Sequence, residues 1–116
     1  MKQHRNVSPR QEALAERNLF AAVAALRSGE ECRAFFRDLC TPAEIQAMAD
    51  RWAVVEWVKQ GLPYREIHRL TGVSVTTIGR VARYVANGNG GYVLVANRLK
   101  GGRKSDGPRR QEARNG

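Results

Sequence analysis

The sequence lacks a long apolar run. No stretch of about 18 consecutive apolar residues occurs among its 116 residues, so no membrane-spanning helix is expected. The opening MKQHRNVSPR also lacks the apolar block of a secretory signal. The sequence therefore predicts a cytoplasmic protein that does not associate with membranes.

Residues that build metal centres and disulfides are also scarce. The chain has two cysteines and two histidines, which are too few for a metal-ligand cluster. On one helix, Cys32 and Cys40 would lie about 12 Å apart along its axis, too far for a disulfide. We find no nucleophile–base set, no paired acids in a cleft-forming context and no glycine loop between a strand and a helix. We therefore expect no enzyme, no metal and no cofactor.

The net charge of +9 is unevenly distributed. Residues 1–10 contain three basic and no acidic residues, and residues 100–116 contain six basic and two acidic ones. Between these segments, residues 11–60 sum to −2 and residues 61–99 to +4. Basic tails could serve solubility alone, but clustered Lys and Arg also bind nucleic-acid phosphates. Residues 1–8 and 100–116 are expected to be disordered basic segments.

Three N-capping sequences predict helices over about 9–27, 30–39 and 42–60. In each, a hydroxyl should accept a free backbone N–H, and the side chain three residues later should reach back to the capping residue. The three pairs are Ser8 with Gln11, Ser28 with Glu31, and Thr41 with Glu44. Gly61 and Pro63 are expected to end the third helix. Its apolar stripe, which includes Trp52 and Trp57, is wider than a small monomer hides.

Two short helices near 63–70 and 75–86 are predicted to form a helix-turn-helix. Ile67 and Leu70 should face inward from the first helix. Gly72 permits the turn between the helices, and Ser74 caps the second one. A plain helical hairpin would explain this apolar spacing equally well, so the outer face of the second helix decides between the two interpretations.

On a helical wheel, the second short helix has two distinct faces. The inner face collects Ile78, Val81, Ala82 and Val85, and the outer face collects Thr76, Arg80 and Arg83. Short polar side chains near the helix start allow a close approach to base edges, and arginines behind them reach phosphate or guanine. This distribution favours a DNA-recognition helix over a hairpin of a helical core.

The segment after these helices is less informative. NGNGGY, residues 87–92, predicts a turn. VLVANRL, residues 93–99, is short and apolar and is compatible with a strand or a helix.

CTPAEIQAMADRWAVVEWVKQGLPYREIHRLTGVSVTTIGRVARYV, with the closing GNGGYVLVANRL, resembles the Trp repressor superfamily and its YerC/YecD-like branch. The resemblance covers about residues 12–99 and rests on the TPxE, GxxYREI, SxxTIxRV and GNGGY segments together. It implies an all-α domain over residues 9–99, with a helix-turn-helix at about 63–86, in an intertwined homodimer. Such a dimer would read two half-sites of double-stranded DNA about one helical turn apart.

The resemblance also implies which residues face DNA. The family's positions fall on Arg65, His68, Ser74, Val75, Thr76, Thr77 and Gly79. Arg65 is the best candidate for base reading, since a guanidinium can bond O6 and N7 of guanine together. Val75 and Thr76 would touch a thymine methyl group, and Arg80 and Arg83 complete the outer face. His68 is expected at the surface rather than as a metal ligand.

The family's corepressor positions are only partly matched. Thr41, Arg51 and Arg80 carry the residues that the family uses there, and with Tyr84 they would form a candidate effector pocket. Val81 and Tyr84 stand where the family has a glycine and a serine. A valine and a tyrosine would fill the space that an indole needs, so L-tryptophan is not expected to be the effector.

The leading interpretation is a sequence-specific, DNA-binding transcription regulator, with repression as the direction that the resemblance implies. One alternative is a helix-turn-helix protein that binds nucleic acid non-specifically through its basic tails. Another is a protein–protein interaction module whose outer helix docks a partner. The specific and the non-specific DNA-binding interpretations predict different ratios of affinity for a cognate site and for random DNA. The protein–protein interaction module would not bind DNA.

Overall fold

The described part of the chain is built from helices. A computed structural model describes residues 6–105, with side chains as far as Gly101. The helices are α1 (Pro9–Ala24), α2 (Gly29–Leu39), α3 (Pro42–Ala53), α4 (Val55–Lys59), α5 (Tyr64–Thr71), α6 (Val75–Asn87) and α7 (Gly91–Ser105). Residues 6–105 contain no strand, which confirms the all-α prediction. None of these helices is long and apolar enough to cross a membrane.

Capping boxes begin two of the helices as predicted. The Gln11 N–H donates to Ser8 Oγ over 3.1 Å, and the Ser8 N–H donates to Gln11 Oε1 over 2.9 Å. Thr41 and Glu44 exchange the same two bonds at the start of α3, over 3.1 and 2.8 Å. These local contacts fix where α1 and α3 begin, because they satisfy N–H groups that the first helical turn leaves free.

The second of the predicted boxes is incomplete. Ser28 Oγ accepts the Glu31 N–H over 3.1 Å, as expected. The Glu31 carboxylate, however, accepts the N–H of Arg27 over 2.8 Å instead of the N–H of Ser28. The capping serine is therefore confirmed, and the reciprocal contact lies one residue earlier than predicted.

The chain divides after Ile45 into two compact units. In the first, α1 and α2 contain no fully buried residue. Large apolar side chains are exposed on both helices, among them Leu14, Phe20 and Leu39. The first unit therefore presents apolar surface to solvent in the single chain.

Helix α1 is shorter than predicted. It ends at Ala24, three residues before the predicted position.

The predicted third helix is broken. It was expected over residues 42–60, but α3 ends at Ala53 and α4 begins at Val55. Val54 and Val55 are both almost completely buried. Two adjacent β-branched residues favour a helix only weakly, so burial of both side chains outweighs the continuation of a straight helix.

The core of the second unit lies between α4, α5 and α6. Its buried residues are Val54, Val55, Ile67, Val73, Ile78 and Val81, and Trp57, Val58, Leu62, Val85 and Tyr92 pack against them. Ile78 and Val81 confirm the predicted inner face of α6. Leu70 was expected to face inward, and this prediction was wrong: its side chain is 45% exposed, whereas Ile67 one turn earlier is completely buried.

Helix α7 resolves the ambiguous segment after residue 92. Gly90 adopts a left-handed conformation with φ 86°, and its carbonyl accepts the Leu94 N–H over 2.9 Å. The Tyr92 ring stacks on Trp52 with centroids 6.4 Å apart, and Tyr92 also packs against the core. These contacts favour a helix, since Tyr92, Val93 and Ala96 then lie on one partly covered face.

Helix α7 also corrects the predicted disordered tail. Disorder was expected from Lys100 onward, but the helix continues through Ser105. Three of the six basic residues of the predicted tail fall inside α7: Lys100, Arg103 and Lys104. The expected disorder of the N-terminal segment and of the last eleven residues concerns residues 1–5 and 106–116, which lie outside the described part.

Candidate DNA-binding site

The turn between α5 and α6 is fixed by side-chain hydrogen bonds. Gly72 is left-handed with φ 78°, and its N–H donates to the His68 carbonyl over 2.8 Å. The Thr71 hydroxyl donates to the Ile67 carbonyl over 2.7 Å and accepts the Val73 N–H over 3.1 Å. With Val73 buried at the corner, these bonds hold the helix-turn-helix in one geometry.

His68 contributes to the same turn. Its Nδ1 lies 2.8 Å from the Val73 carbonyl oxygen, so an Nδ1–H donates to that carbonyl. The side chain is exposed, as predicted, but only Nε2 remains for another partner. His68 therefore braces the turn, a role that the sequence pattern did not reveal.

At the start of α6, the predicted DNA-facing residues fall into two groups: one pair caps the helix, and the other is exposed at its tip. Ser74 Oγ accepts the Thr77 N–H over 3.1 Å, and the Ser74 hydroxyl donates to Thr77 Oγ1 over 3.0 Å. These two side chains cap the helix. Val75, which is 49% exposed, and Thr76 lie at the tip, where short side chains allow a close approach to base edges.

Arg65 and Arg69 on α5 differ in their partners. Arg69 hydrogen-bonds to Glu66, and this bond lowers the pKa of the Glu66 carboxyl below its ordinary value. Within residues 6–101, this is the one ion pair. Arg65 is exposed and has no ion-pair or hydrogen-bond partner for its side chain among those residues, so its guanidinium is available for a ligand.

Tyr64 is a residue of this surface that the sequence reasoning missed. It begins α5, and its ring lies against Gly79 on α6, where a Cβ would meet Tyr64 Cε2 at 3.7 Å. Gly79 is partly covered as a result, whereas Tyr64 itself stays exposed. The GxxYREI segment contained the signal, because an aromatic residue at the start of α5 and a glycine on α6 allow the two helices to approach there.

Replacing Gly79 by alanine should raise the free energy of unfolding by about 0.5–1 kcal/mol, because alanine favours a helix interior. The new methyl group would meet Tyr64 at an ordinary contact distance of 3.7 Å. Gly72→Ala is the matched control, and it should lower that free energy by about 1–2 kcal/mol because Gly72 is left-handed. Urea denaturation at one protein concentration measures both, and a destabilising Gly79→Ala would contradict this packing.

The second half of α6 gathers two arginines around one ring. The Arg80 guanidinium carbon lies 5.0 Å from the centroid of the Tyr84 ring, and that of Arg83 lies 5.7 Å away. Arg80 and Arg83 are exposed, in agreement with the predicted outer face, and the Tyr84 ring is exposed as well. Both distances are within the range of a cation–π interaction.

The comparisons with known proteins identify the family. The family model described as Trp repressor protein matches residues 15–100. The chain belongs to the Trp repressor family. It is 42% identical over 82 residues to the uncharacterized protein YerC of Bacillus subtilis, covering 71% of this chain and 79% of YerC. The predicted resemblance to this superfamily and to its YerC-like branch is thereby confirmed.

Two solved structures support the same fold. A crystal structure of a candidate Trp repressor from Staphylococcus aureus has a TM-score of 0.71 and 36% identity, covering 81% of this chain and 96% of that one. A TrpR-like protein from Eubacterium eligens has a TM-score of 0.70 and 37% identity, covering 75% and 90%. The all-α Trp repressor-like fold is therefore established.

The candidate effector residues of this Trp repressor-family chain fall in both compact units. Thr41 caps α3 in the first unit. In the second unit, Arg51 is half-buried on α3, and Arg80 lies beside the Tyr84 ring. Val81 is fully buried in the core, as the wheel predicted. Arg80 thus contacts a side chain of its own helix.

Proposed function

We propose that the protein is a sequence-specific, DNA-binding transcription regulator that uses α5 and α6 as a helix-turn-helix. The observation that carries this proposal is the surface of α6, where Val75 and Thr76 are exposed at the tip and Thr76 shares the outer face with Arg80 and Arg83. Membership of the Trp repressor family supports the same class of function. We place it in the cytoplasm, where the DNA of such a regulator lies, and assign it no catalytic activity.

We propose further that the active form is a homodimer. The first unit exposes apolar side chains such as Leu14 and Phe20. In the second unit, the apolar Trp52 and Leu99 line an open groove of about 460 Å³, together with the polar Glu56, Gln60 and Lys100. Apolar surface of this kind favours association, and a second chain with two-fold symmetry would cover it on both protomers. The two heads would then read half-sites about one helical turn apart, and repression is the proposed outcome.

We expect DNA binding without L-tryptophan. Val81 is completely buried and Tyr84 contacts Arg80, so neither position leaves the space that a smaller residue would provide. Titration calorimetry with millimolar L-tryptophan should therefore show no saturable heat. A saturable heat would mean that the second unit opens a pocket for the indole, and would contradict this expectation.

The positive charge of residues 100–116 favours the alternative function, in which the protein binds DNA non-specifically through this segment. We predict that replacing Lys100, Arg103 and Lys104 by glutamine weakens cognate and random duplexes by the same factor. Up to three phosphate contacts would be lost per chain, so the salt slope should fall by up to about 2.7 per chain, or about 5.4 for the proposed homodimer. Truncation after Ser105 is the control, since it removes three arginines and two acids and should change the slope less. Unequal losses on the two duplexes would contradict this sequence-independent role.

Selection of random duplex DNA by the purified protein tests the proposed function. At about 150 mM salt and without added ligand, we expect enrichment of a palindrome with half-sites about 10 base pairs apart. A protein–protein interaction module would enrich no sequence and bind no DNA. Binding without enrichment would instead favour the non-specific alternative.

A further inference from the structure

The Tyr84 ring lies close to the two positive charges on the outer face of α6, Arg80 and Arg83. Arg80 precedes it by one helical turn, and Arg83 adjoins it in the chain. Their guanidinium carbons lie 5.0 and 5.7 Å from its ring centroid. The ring is 40% exposed, so it packs against these arginines without being part of the buried core. Tyr84 is thus the aromatic centre of a small basic surface formed by Arg80, Arg83 and Tyr84.

This basic surface has no negative partner within the described residues. Helix α6 contains no acidic residue, and the ion pair of residues 6–101 lies on α5 between Glu66 and Arg69. Arg80 and Arg83, three residues apart on one helix, repel each other. The electron-rich face of the Tyr84 ring offsets that repulsion, because it attracts both guanidinium groups. The two charges are held near each other and remain available to an anion.

We propose that Tyr84 is a positioning residue, which holds Arg80 and Arg83 ready to bind a backbone phosphate of DNA. This role rests on the proposed function and assigns a partner to the second half of α6. A free arginine loses rotamer freedom when it binds a phosphate, and that loss reduces affinity. A guanidinium already held against a ring loses less. The ring therefore raises affinity for phosphate without contacting the DNA itself.

A role of the Tyr84 ring and a role of its hydroxyl group predict different results for two variants. If the ring positions the arginines, Tyr84→Phe keeps the cation–π contacts and Tyr84→Leu removes them. If the hydroxyl itself binds the phosphate, both variants lose the contact. Leucine keeps an apolar side chain at an exposed position, so both variants should fold, and their thermal unfolding should confirm it.

The test measures the affinity of the full chain for a random duplex and for the selected duplex. Phosphate contacts do not depend on base sequence, so the random duplex reports this role even without an operator. Tyr84→Phe should bind within about twofold of the unmodified protein, and Tyr84→Leu roughly threefold to tenfold more weakly on both duplexes. In an Arg80→Ala, Arg83→Ala background, Tyr84→Leu should have less than about a twofold effect, since its targets are gone.

Three results would overturn the proposal. Unchanged affinity of the Tyr84→Leu variant would show that the ring does not position the arginines. Equal losses in the Phe and Leu variants would assign the contact to the hydroxyl group. An undiminished Leu effect in the double-arginine background would show that Tyr84 acts through other residues. If the unmodified protein bound neither duplex, the proposed function would fail first, which is a distinct outcome.

Discussion

Arg65→Ala should weaken binding to the selected duplex by about 1–3 kcal/mol and relax specificity at one base pair. Arg65 is exposed near the start of α5 without an ion-pair partner in residues 6–101, so its five N–H donors are free for a base edge. A bidentate contact with O6 and N7 would select guanine. Repeating the duplex selection with the variant should therefore give the same palindrome with one guanine position degenerate in each half-site.

Arg69→Ala is the matched control for Arg65. It removes the same side chain from the same helix, but Arg69 is already hydrogen-bonded to Glu66. Its loss should change affinity little and leave the selected motif intact. Equal losses for both variants, with no change at any base, would mean that Arg65 contributes only positive charge, and the assignment of base reading would be wrong.

Ile67→Ala should lower the free energy of unfolding by about 2–5 kcal/mol, the range for truncating a buried isoleucine. Ile67 is completely buried on α5, where it packs in the core with Ile78 of α6. The alanine variant leaves a cavity between the two helices, and a core this small has few side chains that could fill it. Urea denaturation at a fixed protein concentration measures the loss, and DNA affinity should fall with it.

Leu70→Ala is the informative comparison, because the sequence pattern also placed Leu70 in the core. Leu70 is 45% exposed, so its truncation should cost less than about 1 kcal/mol. A loss as large as that of Ile67→Ala would mean that Leu70 is buried as the apolar spacing predicted, and would contradict its observed exposure.

The parts of the fold that depend on local chemistry were predictable from the sequence. Ser8 and Thr41 bond to residues three positions away, so a short stretch contains the complete signal. The same holds for Gly72, whose left-handed conformation ends α5, and for Ser74, which caps α6. The helix-turn-helix was predicted for this reason.

Features that depend on tertiary packing were not predictable in the same way. Helical periodicity continues through Val54, and the burial of Val54 and Val55 against other helices, which accompanies the break there, is not visible in that periodicity. The start of α7 depends on Tyr92, which packs on Trp52 across 40 positions of sequence. The brace from His68 to the Val73 carbonyl also requires the completed turn.

In the candidate site, too, some features were predictable from the sequence and others were not. The wheel placed Arg80 and Arg83 on the outer face of α6, and both are exposed. It could not show that Ser74 and Thr77 bond to each other, nor that Tyr64 covers Gly79. The DNA contacts of all these residues stay predictions, and Val75, Thr76 and Arg65 are exposed and remain the candidates for base reading.

Guanine N7 protection from dimethyl sulfate on the selected duplex tests the central claim most directly, because N7 lies in the major groove. If two α6 helices enter successive major grooves, the bound protein should protect guanines in two clusters about 10 base pairs apart. Protection of the sugar–phosphate backbone with no protected N7 at any guanine would contradict the account, since the protein would then bind DNA without reading its bases.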